Sequence, residues 1–197
     1  VKKLFLAASF ADVAQHFPQF IGTALQGKTV TFIPTASKVE DITFYVDDDK
    51  QAFEKLGIIV DELNISKHTT EQIQQKLQQN DYIFISGGNT FYLLQELKKS
   101  GADQLIIAQI EQGKPYIGTS AGSIILAPNI EYIAEMDDQN KAPDLTDFSA
   151  LNVIDFFPLP HYGDEPFADI AKNILHTYQH LQNVVPISND QHIEIIA

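Results

Sequence analysis

Short, continuously apolar runs alternate along this chain with longer stretches whose apolar residues recur at helical spacing. Lys3 to Ser9, Thr29 to Pro34 and the segment beginning Ile58-Ile59-Val60 read as strands. So does Tyr82 to Ser86, whose unbroken apolar character is typical of a strand covered on both faces. Between them lie predicted helices. One runs from Asp12 to Phe20, with Val13, Phe17 and Phe20 on one side, and one from Asp48 to Leu56, ended by Gly57. A third runs from Thr70 to about Gln79, with Thr69 or Thr70 as N-cap. Phe91 to Lys99 and Ala102 to Gln112 follow, the latter with Gly113 as its cap. Further on, Pro115-Tyr116-Ile117 is apolar and extended, residues 137–149 are polar and loop-like, and Val153 to Leu159 is again extended. Asp164 to Tyr178 is a helix carrying Phe167, Ile170, Ile174 and Leu175. Two strands, Val184 to Ile187 and Ile193 to Ile196, are joined by the turn Ser188-Asn189-Asp190-Gln191.

Strands alternating with helices predict an α/β fold: one domain over residues 1–197, a three-layer sandwich with a mostly parallel central sheet. In such sheets ligands collect at the carboxyl ends of the strands. Ser86-Gly87-Gly88 and Gly118-Thr119-Ser120 both fall at such ends.

A chain of 197 residues buries enough surface to fold without disulfides or a structural metal. It has no cysteine, which suits a reducing cytoplasm. The opening Val1 to Ser9 has a charged-then-apolar look, but it is too short for a leader and moves straight into a helix start. No apolar run approaches the ~20 residues that span a bilayer, so no membrane partner is expected. The net charge of −13 argues against nucleic acid, whose binding rests on cationic contacts to phosphate. All 13 basic residues are lysine, so no arginine fork is available to clamp a substrate carboxylate.

The chemistry concentrates at Gly118-Thr119-Ser120-Ala121-Gly122, a G-x-S-x-G run between an apolar strand and the apolar Ser123-Ile124-Ile125-Leu126. This is the layout of a nucleophile elbow, which lifts a serine hydroxyl above the rim of a parallel sheet. Small flanking residues let the backbone turn sharply there. A serine nucleophile needs a base, and His161 is the candidate. The rigid Phe156-Phe157-Pro158-Leu159-Pro160 delivers it to a strand end, and Tyr162-Gly163-Asp164 turns away from it into a helix. His176 and His180 lie four apart on one helix but read as a solvated face, and no metal or other cofactor is implied. The orienting carboxylate is Glu135 or Asp190, giving the chain orders Ser-Glu-His or Ser-His-Asp. The oxyanion donors are the N–H of Ala121 and that of Gly88, where a glycine pair lets the backbone approach substrate. Gly87, Asn89 and Thr90, in the same turn, are candidates to contact substrate.

Three segments taken together resemble peptidase E, the aspartyl dipeptidase family that also includes cyanophycinase. They are Ile85-Ser86-Gly87-Gly88-Asn89-Thr90-Phe91, Tyr116 to Gly122, and Leu159-Pro160-His161-Tyr162. The opening strand and Ile33-Pro34-Thr35-Ala36 fit as well, so the likeness spans nearly the whole chain. The resemblance implies a class I glutaminase-like, flavodoxin-like sandwich. It implies a serine nucleophile matching Ser120, a histidine matching His161 and an acid matched by Glu135. Some members carry a glutamate in the turn before the last strands, where this chain has Asn189-Asp190 and only Asp190 supplies a carboxylate. The implied activity is hydrolysis of short peptides, including dipeptides with N-terminal Asp, through an acyl-enzyme, by a monomer or homodimer. The missing arginine counts against strict preference for aspartate. Two other readings stand beside it: an esterase of the α/β-hydrolase type, and a binding protein that keeps the fold without turnover.

Overall fold

The computed structural model describes residues 1–180 and 183–197. In chain order the elements are β1 (Lys3–Ala7), α1 (Phe10–Val13), α2 (Phe17–Ile21), β2 (Thr29–Ile33), α3 (Phe44–Lys55), β3 (Ile59–Glu62), α4 (Thr70–Gln79) and β4 (Tyr82–Ile85). They continue with α5 (Thr90–Ser100), α6 (Ala102–Glu111), β5 (Tyr116–Thr119), α7 (Ala121–Ile124), β6 (Phe157–Pro160), α8 (Ala168–Tyr178), β7 (Val184–Ile187) and β8 (His192–Ile196). The main sheet has the order β3-β2-β4-β5-β1-β8, parallel throughout except for β8, which runs antiparallel to β1.

Period-two alternation sorts the strand residues onto the two faces. Leu4 and Leu6 of β1, with Ile83 and Ile85 of β4, pack under α4, α5, α6 and α7. Phe5 of β1, Phe32 of β2 and Phe84 of β4 face the other way, into α1, α2 and α3. That second face is aromatic: Phe10 stacks on Phe53 with centroids 4.4 Å apart, and Phe53 meets Phe84 edge-on at 5.0 Å. Each fully buried ring of this kind stabilises the fold by about 1.5–3 kcal/mol.

Local rules set most element ends. Thr69 caps α4 through a complete capping box with Gln72. Gly101, with φ 72°, separates α5 from α6. The predicted helix over Asp12–Phe20 is instead two short helices around a 3₁₀ turn at Ala14–His16. Pro18 lies in the first turn of α2, the one place where its missing N–H costs nothing. The helix predicted from Asp48 starts four residues earlier, at Phe44, because Val46 turns into the core. The helix predicted from Asp164 begins at Ala168, beyond Pro166, whose ring disfavours helical backbone in the residue before it.

The last two strands do not pair with each other. β8 closes the main sheet beside β1, whereas β7 runs parallel to β6 in a separate two-stranded sheet. Of the extended 153–159 segment only the part from Phe157 onward is a strand, which runs on to Pro160 and belongs to this small sheet. Pro158, Pro160 and Pro186 lack N–H donors and are tolerated because both strands are edges. The small sheet abuts α7 and α8, and it carries His161 at its carboxyl end. Among the described residues, no helix is long and apolar enough to cross a membrane.

Candidate active site

Ser120 stands between β5 and α7 at φ 50°, ψ −111°, a conformation that costs a non-glycine residue about 1–3 kcal/mol. The surroundings hold it there. Its N–H donates to the Ala7 carbonyl at 2.9 Å. Thr119 Oγ1 accepts from the Phe10 N–H at 2.9 Å, and the Tyr116 hydroxyl donates to the Gly122 carbonyl at 2.6 Å. The buried Ser123 hydroxyl accepts from the Ala7 N–H at 3.1 Å and shares its proton between the carbonyls of Ala7 and Gly118. Glycine is required twice at the turn. A Cβ on Gly118 would overlap the Gly122 carbonyl, and one on Gly122 would overlap that of Ile85.

Opposite Ser120 lies His161, placed at the end of β6 with φ 62°. The Tyr132 hydroxyl donates to the Pro158 carbonyl in that strand, and the Tyr162 N–H donates to the Ile187 carbonyl of β7. The imidazole stacks on Phe167 with centroids 5.0 Å apart. Its Nε2 is 3.0 Å from Ser120 Oγ, and its Nδ1 is 2.7 Å from Asn189 Oδ1. An amide oxygen only accepts, so Nδ1 carries the ring proton and Nε2 is left free to accept from the serine. Burial pushes the His161 pKa below its ordinary 6.5, against the upward pull of the Asn189 bond and of Asp164. The neutral imidazole, the form a general base needs, therefore persists below the usual pH.

The structure does not bring Glu135 or Asp190 to the imidazole. Both ring nitrogens are already engaged, by Ser120 and Asn189. Glu135 is exposed on the segment after the elbow helix. Asp190 is also exposed and accepts from the Ser188 hydroxyl. The place expected for a carboxylate in the turn before the last strand is filled one residue earlier, by a neutral amide. No carboxylate rule would select Asn189; the usable signal is its position in that turn.

Gly88 follows β4 ahead of α5, and Ala121 opens α7 directly after Ser120; these are the two residues expected to supply oxyanion donors. Gly88 has φ 134° and packs against the Ala36 carbonyl so closely that a Cβ would overlap it. Among the described residues, neither its N–H nor that of Ala121 donates to a protein acceptor. Gly87 lies beside Ser120, where an added Cβ would stand 3.3 Å from that of Ser120 and 3.6 Å from Tyr45 Cε2. Asn89 and Thr90 are not turned toward this space. Both are buried at the start of α5: Asn89 Oδ1 accepts from the Tyr92 N–H, its Nδ2 donates to the Asp138 carbonyl, and the Thr90 N–H donates to Asp137 Oδ2. Capping α5 uses the Asn89 amide oxygen and the Thr90 N–H, while the Thr90 hydroxyl is buried without a hydrogen-bond partner among the described residues.

Tyr45, by contrast, carries no sequence signal that would mark it. Its ring borders Gly87, and burial together with the charges of Glu40, Asp137 and Asp49 pushes its hydroxyl up to about 12. Burial likewise raises Asp137 to about 6. Of the remaining histidines, His192 stacks between Phe5 and His16, and His176 and His180 are exposed.

A parallel-sheet sandwich with a strained serine at a strand end, a histidine in hydrogen-bond contact and two free backbone N–H groups beside it has the architecture of a serine hydrolase. The sequence profile of Peptidase family S51 matches residues 4–197, and the chain belongs to that family of serine peptidases. Uncharacterized peptidase Lmo0363 of Listeria monocytogenes is 52% identical over 99% of this chain and 95% of its own length. A peptidase E of Shewanella denitrificans is 33% identical over 76% of this chain and 61% of its own. A crystal structure described as a candidate peptidase E from Listeria monocytogenes EGD-e superposes with a TM-score of 0.94 at 52% identity, covering 98% of this chain and 94% of that one.

Proposed function

We propose that this serine peptidase is an exopeptidase of short peptides that works through an acyl-enzyme on Ser120. The observation that carries the reading is the 3.0 Å contact between Ser120 Oγ and His161 Nε2 at a strained elbow. In the proposed cycle His161 Nε2 takes the hydroxyl proton as Oγ attacks the peptide carbonyl. The N–H groups of Gly88 and Ala121 receive the developing oxyanion. His161 then gives the proton to the leaving amine. Water, activated by the same imidazole, releases the acyl group and restores Ser120. Asn189 keeps the ring in the tautomer that this requires.

The surroundings count against N-terminal aspartate as the preferred residue. The chain has no arginine, and the carboxylates of Glu40 and Asp137 act on Tyr45, whose ring borders Gly87. A substrate carboxylate there would meet like charge. We therefore propose short peptides with neutral first residues as the better substrates. Cytoplasmic placement rests on the cysteine-free composition alone.

A fluorophosphonate probe tests the nucleophile. Labelling of the native protein that vanishes in Ser120→Ala is expected, and no labelling would favour the non-catalytic binding reading. Dipeptides varied at the first residue test the specificity; strict dependence on aspartate would overturn that part. Faster turnover of p-nitrophenyl esters with no amide hydrolysis would favour an esterase.

A further inference from the structure

The neutral Asn189 leaves a chemical gap. An amide holds the imidazole in one tautomer, but it supplies no charge to the imidazolium formed when His161 takes the serine proton. That cation arises half-buried against Phe167, where water screens it poorly. The elements around the ring offer few carboxylates. In the turn before β8, Asp190 is exposed and bonded by Ser188; ahead of α8, Glu165 and Asp169 are exposed; the Gly118–Gly122 elbow has none. The exception is Asp164, half-buried, whose Oδ2 accepts from the Asn189 backbone N–H at 2.7 Å.

The backbone of Asp164 ties the same parts together. Its N–H donates to the His161 carbonyl at 3.1 Å, and its own carbonyl accepts from the Phe167 N–H at 2.9 Å. One residue therefore bonds the backbones of His161, of Phe167 and of Asn189.

We infer that Asp164 is the displaced carboxylate of this site, a positioning residue that holds Asn189 against His161 and lends its negative charge to the imidazolium one step removed. A negative charge favours the protonated ring, so removing it lowers the imidazole's titration midpoint. The catalytic consequence rests on the hydrolase reading; the midpoint does not.

Two substitutions separate charge from position. Asp164→Asn keeps an acceptor for the Asn189 N–H and deletes the charge, while Asp164→Ala deletes both. The His161 midpoint is read by NMR of the imidazole, and nucleophile reactivity by the rate of fluorophosphonate labelling across pH. Asp164→Asn is expected to lower the midpoint by about half a unit or more and to slow labelling at neutral pH about threefold to tenfold. Asp164→Ala is expected to slow it further. Moving the charge onto the ring in Asp164→Asn/Asn189→Asp is expected to return the midpoint to the native value or above. An unmoved midpoint in Asp164→Asn overturns the inference, whatever Asp164→Ala does. If Asp164→Asn fails to fold, the double variant decides, because a midpoint below native there also overturns it. Absence of labelling in the native protein would sink the hydrolase reading while leaving the midpoint comparison intact.

Discussion

Ser120 and His161 meet across 3.0 Å, yet the chain reaches the two positions by unlike routes. The serine half is local and crowded. Five consecutive residues make the turn, central strands β1, β4 and β5 wall it in, and an added Cβ at Gly118 or Gly122 would strike backbone. The histidine half is assembled from distant pieces on a two-stranded sheet outside the main one: His161 after β6, Phe167 ahead of α8 and Asn189 after β7. Its own glycine, Gly163, has φ 84°, and a Cβ added there would meet nothing within 4 Å. Strain at Ser120 is therefore held by dense packing, while His161 is held by a few directional contacts and should tolerate more change.

That contrast can be broken experimentally. Removing the base altogether should have the largest effect: His161→Ala is expected to reduce kcat/KM by about four orders of magnitude or more in dipeptide assays, without loss of fold by circular dichroism. Next comes Gly122→Ala, expected to destabilise by roughly 3 kcal/mol because the methyl meets the Ile85 carbonyl, and read as a lowered midpoint in urea unfolding. Asn189→Ala should cost on the order of 10²-fold in kcat/KM with little change in stability, since the ring keeps its stacking on Phe167 but loses its tautomer control. Gly163→Ala, in open space, should cost only about 1–2 kcal/mol from its positive φ. A loss as large as that of Gly122→Ala would erase the distinction between the halves. The smallest effect sharpens the picture of the base. In the proposed cycle His161 must be neutral to act, and burial lowers its pKa, so kcat/KM should rise with pH along a limb centred below 6.5 and be flat at neutrality. A limb centred above 6.5 would mean that the charge of Asp164 outweighs burial.

Legibility followed the same division. The elbow, the Gly87-Gly88 turn and the alternating strands were readable because each depends on neighbouring residues: tight turns need small side chains, and covered strands need unbroken apolar runs. His161 was readable from the rigid proline-containing strand that ends at it. Its partner was not. Glu135 and Asp190 were reasonable from charge and chain order, but an exposed carboxylate has no reason to leave water, and Asn189 takes the position through a backbone bond to Asp164. Adjacency to the glycine pair marks Asn89 and Thr90 as substrate contacts in the sequence, but the start of α5 buries both and uses the Asn89 oxygen and the Thr90 N–H.

Taken by itself, the sequence determined the α/β layering, the serine at a strand end, the histidine at the end of a proline-containing strand and the lack of any arginine. These follow from periodicity, turn chemistry and composition, which act over a few residues at a time. Only the tertiary structure decided that the final strands part company, that an amide rather than a carboxylate meets the imidazole Nδ1, and that Tyr45 borders Gly87. Those outcomes depend on which distant segments pack together, and that is set by burial and hydrogen-bond satisfaction across the whole molecule.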